Sequence, residues 1–540
     1  MNFIFIKNIS IAHILFVLGI SAIIALSTFS LFFQSIRLDE SQSIWLSVKS
    51  FFEILNLTAQ DVHVPLYGVI LHYWMQLFGA DIFVARSLSF LFYVATIPAL
   101  YILARETANK QVAYVTTLFF ALSPFILWYS FEARTYSLLT LMATLSHLFF
   151  MRMIRSNAEN GKAGFFLSLV VGLYTHYFFL LVVFMQAVYV AVLYIQRLLH
   201  DLKETSGSKL QQITRLAALQ TNTPEKKISL FRYAKHAFVH HKKLILSYAI
   251  AVASAFVLFA PWLIYVVSLG SASNTQPLVP APSTFNLIQT FVLFMFGFQN
   301  QEIQSILVSL WPVSIILLFI VFTKRRKLAF KNIEYFALAT FLPVALVFLV
   351  SYIKPVFLSR YLIFLAPTMF LLLSWTLLSF SKKIRYTALI GYTAISLSLL
   401  TIQITSAQTT VKEDYRGVGA YLSSQTDPSD IIGVSAPFTV YPIEYSYTGN
   451  SRIDTIPQWN RFKEGQRIPA FSQTELEKQV ENYQKQYDEL YVVLSYDQGY
   501  EDDIRTYLDS RFQLTSTKSF SNGIIVRSYK MNYNPKISIK

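Results

Sequence analysis

Two adjacent carboxylates, Asp39 and Glu40, stand in the run Phe33-Gln34-Ser35-Ile36-Arg37-Leu38-Asp39-Glu40-Ser41-Gln42, directly after residues 11–33, which are almost free of charge. About 20 apolar residues cross a hydrocarbon layer of ~30 Å, so the pair is expected at the water interface where that span ends. A carboxylate placed there can take a proton from a hydroxyl, ligate a metal or start a helix. Asp39 with Gln42 three residues on fits a capping box ahead of Ile44 and Trp45, the plain alternative to general-base chemistry. Successive side chains on a helix diverge by about 100°. The two acids are therefore not expected to serve one proton: one would accept it while the other binds a metal or holds the loop.

The same outside loop, residues 34–81, supplies a third acid and an imidazole in Asp61-Val62-His63-Val64-Pro65-Leu66. An interfacial His needs no special partner, so packing is the competing explanation for His63. Two arginines lie where an outside loop meets a span: Arg134, preceded by Glu132, and Arg360 in Ser359-Arg360-Tyr361. Each can anchor its helix by snorkelling, or can present the planar fork of donors that matches a phosphate. Arg86 and Lys354 are further cations of that kind.

The elements that must position these residues are read from composition. Of 540 residues, 54% are hydrophobic and 14% charged, against about 25% charged in soluble chains. This is a polytopic α-helical membrane protein. Its net charge of +15 is a topology signal, because Lys and Arg fall in short loops between apolar runs; no nucleic-acid partner is implied. The absence of cysteine excludes thiol chemistry and Cys-ligated metal. Apolar runs at 11–33, 82–104, 111–129, 136–153, 164–195 (two spans hinged near Tyr174-Thr175-His176), 244–267, 303–322, 333–351, 361–380 and 387–404 give about eleven spans. The first carries no small-residue cleavage site and is expected to stay. Arg and Lys clusters put the polar stretch 197–243 and Lys324-Arg325-Arg326-Lys327 in the cytoplasm, hence the N-terminus inside and the C-terminus outside. Helical spacing of Trp45, Val48, Phe51, Phe52 and Leu55, and of Leu71, Trp74, Met75 and Phe78, predicts interfacial helices in the 34–81 loop. The apolar stretch 286–298 is expected as an interfacial or re-entrant helix. Beyond residue 408 acidic and basic residues nearly balance, and the pattern predicts a small outside α/β domain over 409–540, roughly 130 residues and large enough for its own core. Helices are expected at 415–423, 474–486 and 501–512, and strands at 431–434, 490–494 and 523–528. With no phosphate loop, metal spacing or nucleophile elbow, its expected use is binding or shielding.

These pieces together resemble the bacterial branch of the protein O-mannosyltransferase family, within the GT-C superfamily of membrane glycosyltransferases. The resemblance rests on Leu38-Asp39-Glu40-Ser41-Gln42, His63-Val64-Pro65-Leu66-Tyr67, Leu71-His72-Tyr73-Trp74-Met75-Gln76-Leu77-Phe78-Gly79 and Ala85-Arg86-Ser87, then on the run from Ser123 to Ser137 containing Phe131-Glu132-Ala133-Arg134, Tyr174-Thr175-His176-Tyr177, Ser359-Arg360-Tyr361 and Lys412-Glu413-Asp414-Tyr415-Arg416. Val64 departs from the family's second proline. The resemblance implies a GT-C transmembrane domain over 1–408 and inverting transfer of a hexose or pentose from a polyprenyl-phosphate donor to a glycan, lipid or protein on the outer face of the plasma (inner) membrane. Asp39 is then the expected general base and Glu40 its neighbour in the motif. Arg134 and Arg360, with Arg86 and Lys354, would hold the donor phosphate; His63, Asp61 and Glu132 would support the acceptor or the loop. Some relatives use a divalent metal near the acidic loop and others do not, which leaves metal open, with Glu132 and His63 the residues to watch; no spacing in the sequence shows a metal site. The rival from another class is a flippase or polymerase of lipid-linked glycans, which would place polar, broken helices at the midplane; here ionisable residues collect at span ends. A non-catalytic anchor for the outside domain is the third reading.

Overall fold

The computed structural model describes residues 19–21, 24–25, 34–61, 63–156, 159–196, 199, 230–269, 280–310, 332–405, 413–461 and 468–531. Most of the span expected at 11–33, most of the loop at 197–243 and the second half of the span expected at 303–322, with its basic cluster, lie outside them. Among the described residues, 7 helices are long and apolar enough to cross a membrane, or 8 when a bent pair is counted as one span. They include Ile82–Thr107, Phe179–Gln196, Ile333–Val350 and Lys382–Thr405. The protein is a multi-pass membrane protein.

Two breaks in the spans bear on the site. The expected straight span at 111–129 is bent by 63° between Lys110–Leu122 and Pro124–Ser130. Pro124 has no N–H to continue the first helix, and Ser123 caps the second by accepting the Ile126 amide at 3.2 Å. Its hydroxyl donates to the Phe294 carbonyl at 2.7 Å, which ties the bend to the helix Thr284–Phe296 expected from the 286–298 pattern. The second break is the hinge expected near Tyr174: one helix ends at Thr175 and the next begins at Phe179. Gly172 allows the fold-back, since a Cβ there would run into the Phe179 ring.

The loop at 34–81 folds into three helices, Leu38–Ser47, Phe51–Ala59 and Leu66–Phe78. The hydrophobic spacing from Trp45 to Leu55 bridges two of them. Ser50 starts the second by accepting the Glu53 amide, so the single periodic run is cut in its middle. Phe52 and Leu77 are 78% and 76% exposed, consistent with helices lying against lipid headgroups.

After the last span comes a five-stranded sheet in the order β2-β1-β3-β5-β4. Its strands are β1 (Ile431–Ser435), β2 (Arg452–Thr455), β3 (Glu489–Leu494), β4 (Gln513–Ser519) and β5 (Ile525–Lys530). β1 runs parallel to β2 and β3, and β5 antiparallel to β3 and β4. The expected helices are present as Tyr415–Gln425, Gln473–Gln484 and Glu501–Arg511. β2, β4 and the helix Val440–Ser446 come in addition to the expected elements: β4 is polar and mostly exposed along its length, which leaves no buried period to read. Period-2 alternation divides β3 between two cores. Leu490, Val492 and Leu494 pack with Leu476, Val480, Ile504 and Leu508. Tyr491 and Val493 pack in a cluster that also holds Ile36, Ile44, Leu71, Ala85 and Ala133. One face of the sheet thus shares its core with the acidic loop.

Candidate active site

The helix Leu38–Ser47 begins before Asp39. Its N-cap is Arg37, in extended backbone, and the side chain that reaches back is Glu40, whose Oε2 accepts the Arg37 amide at 3.2 Å. Asp39 is inside the first turn, so the capping box expected with Gln42 is replaced by one built on Glu40, and the cap explanation for Asp39 falls. Glu40 and Arg86 form a two-point pair, Nε to Oε1 at 2.8 Å and Nη2 to Oε2 at 2.7 Å. The Ala133 amide adds a bond to Oε1 at 3.2 Å, and Arg86 also donates to the carbonyls of Gln34 and Ser35. Glu40 is 1% exposed and Arg86 5%. Of the alternatives open to the two acids, Glu40 takes that of holding the loop, with both oxygens engaged; the expected phosphate role of Arg86 is corrected, since its guanidinium is spent on Glu40.

Asp39 points elsewhere, as the 100° divergence requires. Its side chain is 21% exposed, and Oδ2 lies 3.3 Å from Nη1 of Arg360. Arg360 lies in the first turn of a 3-10 helix, Ser359–Leu365, that leads into Ala366–Leu378. Arg134 approaches from the loop after the bent span; it donates through Nη1 to the Asp39 carbonyl at 3.4 Å and the Ser43 hydroxyl at 3.3 Å. Its Nη2 lies 2.9 Å from Nε2 of His63, and Nδ1 of His63 lies 2.8 Å from Asp61. Those partners assign the proton to Nδ1, since Arg can only donate to Nε2. Asp61 and His63 therefore orient Arg134. Arg37 meets Glu132 at 2.6 Å and stacks over Trp128 at 5.6 Å. Lys354 is exposed, and among the described residues no ion pair or side-chain hydrogen bond joins it to this group, so it leaves the set.

Three guanidiniums thus converge around one carboxylate. Burial would raise the pKa of Asp39, but the Arg360, Arg134 and Arg37 guanidiniums outweigh it and hold the carboxyl well below the usual range. Glu132 behaves oppositely: burial, with Asp39 and Glu40 nearby, pushes it up to about 7 despite Arg37. The Nε atoms of Arg37, Arg134 and Arg360 and the indole nitrogen of Trp128 are buried without a hydrogen-bond partner. A buried unsatisfied donor costs roughly 1–3 kcal/mol. Three guanidiniums with such donors around one carboxylate, with Trp128 under one of them, form a site shaped for an anion.

The comparisons with known proteins agree with this architecture. The family described as dolichyl-phosphate-mannose-protein mannosyltransferase matches residues 62–208, a stretch that holds His63, Arg86, Glu132 and Arg134 but begins after Asp39. ArnT from Cupriavidus metallidurans in the apo state superposes with a TM-score of 0.56 at 12% identity, covering 96% of this chain and 98% of that one. The same protein bound to undecaprenyl phosphate gives 0.51 at 12% identity, covering 95% and 97%. The fold is GT-C. No curated protein sequence matches.

Within this GT-C fold the structure brings together Asp39, Arg134, Arg360, His63, Asp61 and Glu132, six of the nine expected residues as one constellation with Glu40 and Arg86 beneath it and Lys354 outside. Sequence reasoning does not find Arg37. A signal exists: it is the cation between the first span and the acidic pair, but a charge at a span end reads first as an anchor. Trp128 stands out in the sequence only as part of a motif. For a divalent metal the donor set does not fit: Asp39, Glu40 and Glu132 each face a guanidinium, and among the described residues no three His, Cys, Asp or Glu side chains converge.

Proposed function

We propose that this protein transfers a hexose or pentose from a polyprenyl-phosphate donor to a glycan, lipid or protein hydroxyl on the extracytoplasmic face, with inversion at the anomeric carbon. The observation that carries the reading is the group of three guanidiniums around Asp39, with buried Nε donors left unpaired. Arg134 and Arg360 hold the donor phosphate. Asp39 takes the proton of the acceptor hydroxyl while its oxygen attacks the anomeric carbon. The bond from that carbon to the phosphate oxygen breaks, and the electron pair leaves on the phosphate, where the arginines meet the growing charge. A phosphate that draws Arg360 away from Asp39 also relieves the carboxylate of its strongest neutralising partner, so the base strengthens only when donor is bound. Support for the donor class comes from the ArnT structure, whose ligand is undecaprenyl phosphate, and from the mannosyltransferase family match.

Arg134→Lys and Arg360→Lys are each expected to weaken donor binding roughly 10- to 100-fold, because charge remains but the fork of donors is lost. Titration of the purified variants with a polyprenyl-phosphate sugar measures it; donor affinity unchanged in both would remove them from the phosphate site. For the topology, reporters fused after Phe380 and after Ser406 are expected to read cytoplasmic and extracytoplasmic, since Lys382, Lys383 and Arg385 separate two apolar runs. A cytoplasmic reading at Ser406 would put the acidic loop on the wrong side of the membrane for this chemistry.

A further inference from the structure

We infer that the C-terminal domain is a working part of the active site, with Glu413 as the positioning residue that fixes the start of the helix carrying Asp39. The inference rests on the transferase reading for its catalytic consequence, but not for the contact itself. The first amides of a helix have no partner within it. Arg37, the N-cap, has no side-chain oxygen to offer, and Glu40 satisfies only the Arg37 amide. The next amide, Leu38 N–H, is taken by Oε2 of Glu413 at 3.2 Å, from 375 residues along the chain. Glu413 is 7% exposed, and the Tyr496 phenol donates to its other oxygen. A carboxylate at this helix end also meets the positive pole of the helix dipole.

The contact is reciprocal. The helix Tyr415–Gln425 closely follows Glu413, and its own early amide, Arg416 N–H, donates to the Ser35 hydroxyl at 2.8 Å. Arg416 also reaches the Gln34 carbonyl through its guanidinium at 3.4 Å. Each domain therefore caps the other's helix across one junction. Toward the far end of the Asp39 helix the same domain takes hold again. Trp45 packs on Tyr441 with ring centroids 5.0 Å apart, and the Arg461 guanidinium lies over both rings at 5.1 and 4.8 Å. Asp39, next to the capped amide, can shift only if this grip loosens. Arg134 and Arg360, by contrast, stand on other segments, and Arg134 has a further hold in His63, outside that helix.

The expected signature is thus a split between turnover and donor binding. In the full-length protein in detergent, Glu413→Ala is expected to lower kcat about 2- to 30-fold, the range a lost helix cap carries, with donor affinity unchanged. Glu413→Gln keeps an acceptor oxygen for Leu38 N–H and is expected to recover much of the rate. Amide hydrogen exchange over residues 38–41 is expected to speed up in Glu413→Ala and in Ser35→Ala, which loosens the junction from the other side. Unchanged exchange in Glu413→Ala would overturn the clamp; faster exchange with wild-type kcat would overturn its catalytic role. A loss of donor affinity equal to the loss of kcat would mark general unfolding and overturn the positioning role as well. Because the exchange arm needs no substrate, a wild-type protein that transfers no sugar from any polyprenyl-phosphate donor would defeat the transferase reading while the clamp is still decided.

Discussion

Asp39→Asn is expected to transfer sugar about 10²- to 10⁴-fold more slowly than the wild-type chain, the usual cost of losing a general base, at normal yields of folded protein. The two halves of that expectation come from different observations. Asparagine keeps the size of the side chain but has no oxygen basic enough to take the acceptor proton. The fold does not depend on Asp39, because the helix start is secured by Glu40 on the Arg37 amide and Glu413 on the Leu38 amide. Donor affinity should hold or tighten, since the carboxylate that competes with phosphate for Arg360 is gone. The assay is single-turnover transfer per folded molecule, with donor affinity measured in parallel. Near-normal transfer by Asp39→Asn would end the base assignment. The pH dependence of the wild type gives a second view with its sign fixed. In the donor-free protein the Asp39 carboxyl sits well below the ordinary range, so protonation of free enzyme does not limit activity until the pH falls below that range. Bound donor withdraws Arg360, raises the value, and should move the acidic limb of kcat to higher pH than that of kcat/KM.

How far the sequence foretells this site depends on the scale of the physics involved. Spans, their hinge at Tyr174 and the buried strands β1 and β3 are legible because hydrophobic patterning is a local signal. The separation of Asp39 from Glu40 is legible too, from helix geometry alone. What escapes are facts set by long-range partners. Glu40 and Arg86 are 46 residues apart, Glu413 and Leu38 375, and nothing local says that one arginine near the interface is spent on a buried acid while another faces the partly exposed Asp39. The Ser123-Pro124 bend shows the middle case: proline announces an interruption, but the 63° turn that delivers Glu132 and Arg134 depends on Ser123 reaching the Phe294 carbonyl. Arg37 reads as a topology signal because its position at a span end suits both purposes.

The second large effect belongs to the pair beneath the site. Arg86→Met is expected to destabilise the protein by about 3–5 kcal/mol, because it leaves Glu40, 1% exposed, as an uncompensated buried charge. Methionine fills much the same volume, so lost packing is a small part of the change. Adding Glu40→Gln to Arg86→Met removes that stranded charge, and the double variant should be more stable than Arg86→Met alone. Neither change touches the Arg360 contact, so donor affinity per folded molecule should change less than stability does. Thermal midpoints and monodispersity in detergent, beside a donor titration, separate the possibilities. A double variant no better than Arg86→Met would mean that packing or the Gln34 and Ser35 carbonyl contacts, and not charge, dominate the cost. If Arg86→Met instead folded normally and lost donor affinity, Arg86 would return to the phosphate site, and the loop would have to be held by other bonds than the two its guanidinium makes to Glu40.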